Sequence, residues 1–181
     1  MRLDGKRASM AILAVAAIGA AIAVPALGGS HPNPTFKVLG RPEKPADRLP
    51  ASSGSGPLGA IDRDAARLVG AIDGRSVYLA PGPEDTVCVL DAADDGSLGG
   101  SCSPRDAIRD RPTYTAWSEG DSDAVAVAVP VPDAYDRAEI DGRAVPVSDN
   151  VALTRVRPGT GAVRLSGDDA TLEGDLDVEA P

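Results

Sequence analysis

The chain has 181 residues and 18.3 kDa, room for one domain with a core and too little for two of ordinary size. With 43% hydrophobic and 25% charged residues it should fold, while 27 acids against 18 bases (net −9, pI near 4.5) argue against nucleic acid or anionic membrane surfaces as partners. One histidine (His31), two cysteines and five aromatic residues exclude most histidine-based catalysis, any four-ligand Cys/His zinc site and a stacking platform for sugars or bases.

Arg2, Lys6 and Arg7 precede a run from Ala8 to Leu27 that carries no charge. A basic start and then an apolar stretch is what export machinery reads, and the basic end stays in the cytoplasm. The run is long enough to span a bilayer as a hydrophobic helix, and Ala21 and Ala23 also give an A-x-A cleavage pattern. Residues 1–29 are therefore expected to be a signal peptide or a single-pass membrane anchor. The chain from residue 30 onward should be extracytoplasmic, touching the membrane only through that segment if it is not cleaved. Residues 30–57 read as a linker, with prolines at 32, 34, 42, 45, 50 and 57 and a Ser/Gly tract from Ser52 to Gly56.

A folded domain is expected over 58–166. Leu58, Ile61, Ala65 and Leu68 share one helical face, which predicts a short helix competing with a first strand for Leu68–Ile72. Asp73-Gly74 reads as a two-residue hairpin turn before Arg75–Ala80, and Thr86–Leu90 as a short strand. Asp94-Asp95-Gly96 and Gly99-Gly100 read as a loop returning to Cys102. Ser103-Pro104-Arg105-Asp106 has the pattern of a helix start, and that helix must end before Pro112. Ala124–Val129 alternates alanine with valine, a strand with one small and one bulky face that stops at Pro130. A second hairpin at Asp141-Gly142 joins Ala138–Ile140 to Arg143–Val147. Val151–Val156 and Ala162–Leu165 supply further strands. Residues 167–181 read as an acidic tail containing Asp168, Asp169, Glu173, Asp175, Asp177 and Glu179. The expected fold class is mainly β: a small antiparallel β domain with one or two short peripheral helices, after an N-terminal hydrophobic helix.

Cys88 and Cys102 enclose a ring of 15 residues. Outside the cytoplasm such a pair is expected to form a disulfide, and the surrounding Asp85, Asp91, Asp94 and Asp95 disfavour a thiolate. Other fragments fail as chemistry. Gly120-Asp121-Ser122 resembles a serine-protease nucleophile segment, but the domain offers no histidine base, and all three lysines lie outside it. The calcium pattern from Asp91 to Cys102 has Ala93 at its third position and Cys102 where a bidentate glutamate belongs. Arg105, Arg109 and Arg111 form a local basic patch beside Asp106 and Asp110. No catalytic, cofactor-binding or metal-ligating residue is assigned, and no cofactor is expected.

The segments Ser76-Val77-Tyr78-Leu79-Ala80, Val87-Cys88-Val89-Leu90, Gly99-Gly100-Ser101-Cys102, Val131-Pro132-Asp133, Asp141-Gly142-Arg143, Val145-Pro146-Val147 and Asp149-Asn150-Val151 carry a resemblance. They resemble uncharacterised exported or membrane-anchored proteins of high-GC Gram-positive bacteria, a group with no established activity. Fifteen arginines against three lysines fit a GC-rich coding bias. The resemblance implies an envelope setting and no reaction. The expected function is a non-enzymatic extracytoplasmic domain that binds or supports an envelope protein or other envelope ligand. The alternative is a secreted hydrolase using a carboxylate pair or a metal site.

Overall fold

A computed structural model of the chain describes residues 35–50, 57–118 and 123–179. The segment 1–29 and the Gly120-Asp121-Ser122 fragment lie outside the described residues, as does His31. The described chain is mainly β, with twelve strands in three antiparallel four-stranded sheets and two short helices. The strands are β1 (Arg67–Ile72), β2 (Arg75–Pro81), β3 (Thr86–Ala93), β4 (Leu98–Pro104), β5 (Thr115–Trp117) and β6 (Val125–Pro130). They continue as β7 (Arg137–Ile140), β8 (Arg143–Val145), β9 (Val147–Ser148), β10 (Val151–Val156), β11 (Gly159–Ser166) and β12 (Thr171–Val178). The helices are α1 (Lys37–Gly40) and α2 (Arg105–Asp110). Sheet A has the order β1-β2-β3-β4, sheet B β5-β6-β10-β9 and sheet C β12-β11-β7-β8.

The side-chain pattern of β6 explains how the sheets stack. All six of its residues are buried, which happens only when both faces of a strand are covered. Val125, Val127 and Val129 pack with Ile140, Val163, Leu165, Leu172 and Leu176 of sheet C. Ala128, on the other face, joins Val69, Val77, Leu79, Val87 and Val89 of sheet A. Sheet B is thus the middle layer of three. The outer face of sheet A, with Tyr78, Ala80, Cys88 and Leu90, is covered in turn by Leu49, Leu58 and Ile61.

The two Asp-Gly hairpins form as expected, with Asp73, Gly74, Asp141 and Gly142 all at positive φ, the geometry that turns two strands in two residues. Five segments differ from their sequence reading. The helix expected over Leu58–Leu68 is a single 3₁₀ turn, Pro57–Ala60, before β1 begins. The Asp62 carboxylate accepts the backbone N–H groups of Asp64 and Ala65, a local turn that competes with helix formation. Within the stretch expected to be linker, residues 35–50 fold against the domain, burying Phe36, Val38 and Asp47. Within the expected acidic tail, Thr171–Val178 forms β12, paired along its whole length with β11. Its acids all point outward while Leu172, Leu176 and Val178 enter the core. Strand β4 likewise occupies a stretch expected to be loop, and the short β5 has no counterpart among the expected strands.

Because the alanine face of β6 sets how closely sheets A and B approach, Ala128→Leu should overpack the interlayer. It is expected to cost about 1–3 kcal/mol in urea denaturation, whereas Ala116→Leu on the exposed side of β5 should stay within about 0.5 kcal/mol.

Candidate functional site

On the outer face of sheet C the register places Arg164, Glu139 and Ala144 in one row across β11, β7 and β8, with Ser166 and Arg137 in the next. Ala144 is too small to fill its place beside Glu139, and Pro146 turns the chain away from β8 toward β9. The result is an open groove of about 650 Å³, walled by Ala144, Pro146 and Val147 on one side and by charged side chains on the other. Arg137 is 3.2 Å from Asp136, and Arg164 is 3.2 Å from Glu173 on β12. Both arginines remain more than half exposed, so either can exchange its partner for a ligand at little cost. The groove therefore offers two cations, two carboxylates (Asp136 and Glu139), the Ser166 hydroxyl and an apolar wall. No sequence signal marks it, because its residues come from three strands whose register only the fold supplies.

A second polar cluster lies at one end of the interlayer between sheets A and B. Asp91 is buried and meets Arg75 at 2.6 Å. Gly99 stands opposite it on β4, and a β-carbon there would come within 2.7 Å of the Asp91 carboxylate. Arg155 on β10 pairs with Asp73 of the first hairpin, and is level with Trp117 across Ala126. These are ion pairs and include no nucleophile–base arrangement. Of the several acids around the cysteines, Asp91 is the member that the fold buries.

The third cluster holds residues 35–50 in place. The Asp47 carboxylate takes both Arg41 guanidinium nitrogens (2.6 and 2.7 Å), the Lys44 N–H (2.7 Å) and the Leu68 N–H of β1 (2.9 Å). The Arg41 hydrogen bonds, which favour the carboxylate, outweigh the cost of burial and hold Asp47 well below the usual aspartate range. Arg41 is correspondingly raised, and it also donates to the Leu68 carbonyl. Nearby, Asn150 at positive φ accepts the Val38 N–H and donates to the Val131 carbonyl and to Asp133, which in turn accepts the Lys37 N–H. Burial alone would raise Asp133. The Lys37 N–H, the Asn150 amide and the Thr35 hydroxyl together lower it.

Cys88 and Cys102 are bonded as expected, directly opposite one another on β3 and β4. The remaining residues singled out by sequence are dispersed. Asp94 and Asp95 sit in the exposed β3–β4 turn, Arg105 pairs with Asp85 at 2.7 Å, and Arg109 with Asp110 at 3.2 Å. Among the described residues no three His, Cys, Asp or Glu side chains gather as metal ligands. Nor is any helix among them long and apolar enough to cross a membrane. No known family model, curated protein or solved structure matches the chain.

Three outcomes are expected. Asp47 and Asp133 both have folded values below the unfolded aspartate value of about 3.9, so their stabilisation is present above that pH and is lost as pH falls below it. Trp117 packs against the same cluster as Phe36 and Val38, so its fluorescence should report the loss on acid titration. Asp47→Ala should cost about 3–5 kcal/mol, since it leaves Arg41 without its partner. Replacing both cysteines by alanine should lower stability by about 2–3 kcal/mol in denaturant melts, the value for a ring of about 15 residues.

Proposed function

We propose that the chain is a non-enzymatic extracytoplasmic domain, secreted or held by its N-terminal segment, that binds another component of the cell envelope through the groove on sheet C. The groove carries this reading: it presents charges of both signs beside an apolar wall on an otherwise solvated sheet face, the mixed chemistry of a polar recognition surface. The Cys88–Cys102 bond is compatible with the location, since structural disulfides persist in oxidising compartments. The basic start and apolar run from Ala8 to Leu27 support export.

Asp136 and Glu139, both lining the groove, are the foothold of the hydrolase alternative. Carboxylate catalysis requires one acid to be kept protonated by apolar surroundings. Both of these are exposed, with arginines as neighbours, so binding is favoured over turnover.

A photoreactive residue at position 139 in cells should give one discrete adduct, absent when it is placed at exposed position 62, and abolished by Ala144→Trp, which fills the groove. Equal adducts from both positions, or none, would overturn the groove assignment. Hydrolysis of envelope polymers or small esters by the purified protein, lost in Asp136→Asn or Glu139→Gln, would replace it with the enzymatic reading.

A further inference from the structure

Three stacked sheets have six edge strands, and among the described residues five of them are guarded. On β1, the outward N–H and C=O of Leu68 are taken by Asp47 and Arg41. On β12, the Tyr114 hydroxyl donates to the Asp177 carbonyl (2.5 Å) and accepts its N–H (3.0 Å), while Pro112 abuts Gly174. Strand β8 has three residues and runs into Pro146, which has no N–H to offer, and β5 and β9 have only three and two residues. Short strands, prolines and capping side chains are how proteins keep sheet edges from pairing.

Among the described residues, none of these devices guards β4 before its last residue, Pro104. The Ala93 N–H bonds to the Ser97 carbonyl at the hairpin, and the β3–β4 register then alternates without interruption. Gly99, Ser101 and Ser103 therefore turn their backbone groups toward β3, and Leu98, Gly100 and Cys102 turn theirs outward. The 3.9 Å Cα separation of Cys88 and Cys102 agrees, being that of a pair not hydrogen-bonded to each other. From Leu98 to Pro104 the strand carries no charged residue, in a chain of net charge −9.

We propose that β4 is a self-association edge: two copies of the chain pair β4 antiparallel about a two-fold axis at Gly100, joining their A sheets into one of eight strands. The outward residues are spaced evenly about Gly100, so the axis sets Leu98 opposite the second copy's Cys102 and Gly100 opposite its own counterpart. Every outward N–H then meets an outward C=O, giving six hydrogen bonds on counting two for each of the three pairs. A second copy is the occupant that this register satisfies by symmetry alone. The absence of charge removes the repulsion that two acidic chains would otherwise meet at their contact. Pairing at β4 depends on neither the groove nor the chain's location.

The test is the mass of the detergent-solubilised full chain by analytical ultracentrifugation over a range of concentrations, with hydrogen exchange on the same samples. A dimer is expected in which the amides of Leu98, Gly100 and Cys102 become protected as concentration rises. Leu98→Pro removes an outward N–H that β3 does not use. It should weaken association about ten- to thirty-fold, through two lost hydrogen bonds per dimer. A monomer at all concentrations would overturn the proposal. So would a dimer whose three β4 amides exchange as freely as in dilute solution, which would place association elsewhere, for example in the N-terminal segment. Protection of these amides only by an extended segment of a different protein would overturn it as well, assigning the edge to a heterologous strand. The exchange readout on the unmodified chain decides the matter even if Leu98→Pro does not fold.

Discussion

A strand buried on both faces can have no polar side, and β6 is that strand. Its valines fill the space against sheet C and its alanines keep sheet A close, so one alternation of size does the work that polarity does in an ordinary two-layer sandwich. With sheet B thus enclosed, the other sheets are committed. Each must offer it an apolar face, and the polar alternation of the chain is pushed to the outside, as on β12, where every second residue is an acid or a threonine.

The segment 35–50 is the second device on which the layers depend. It enters the A–B interlayer with Phe36 and Val38, crosses the edge of β1 where Arg41 and Asp47 take the Leu68 backbone, and reaches the outer face of sheet A with Leu49. Asn150 and Asp133 anchor its start to the loops that flank β6 and β10. A buried ion pair of this kind is seldom a large net gain over apolar packing, because both charges must be taken out of water. Here it also satisfies two backbone groups of an edge strand, which an apolar substitute could not do. That double duty ties the N-terminal segment to a single register on β1.

The legibility of the sequence divides along the same lines. The Asp-Gly hairpins are legible because the turn is local: two residues that tolerate positive φ, flanked by β-prone runs. The Ala/Val alternation of β6 is legible as a two-faced strand, though nothing local says that both faces will be covered. Strand β12 escapes a reading by charge although Thr171-Leu172-Glu173-Gly174-Asp175-Leu176-Asp177-Val178 has an apolar residue at most even positions. Its acids draw attention to the tail's polarity, when the period of two is the stronger signal. The docking of residues 35–50 has no such signal. Prolines mark an extended chain, and whether an extended chain is solvated or packed depends on a partner surface distant in sequence. The groove is illegible for the same reason, since Glu139, Ala144 and Arg164 become neighbours only through strand register.

The stacking order also limits where recognition can occur. Sheet B has both faces of β6 covered, and the outer face of sheet A is overlaid by Leu49, Leu58 and Ile61. Among the described residues, the outer face of sheet C is solvated along β7, β11 and β12. The groove lies on that face, where a small residue and a proline break an otherwise regular charged surface. Edges are the other surface a stacked sheet retains, and among the described residues five of six are closed by a side chain, a proline or their own brevity. Sheet C's face and the β4 edge belong to the two outer layers on opposite sides of sheet B, so a molecule engaged at one leaves the other accessible. Under the two proposals, groove binding and β4 pairing use surfaces that do not compete, so one molecule can carry both.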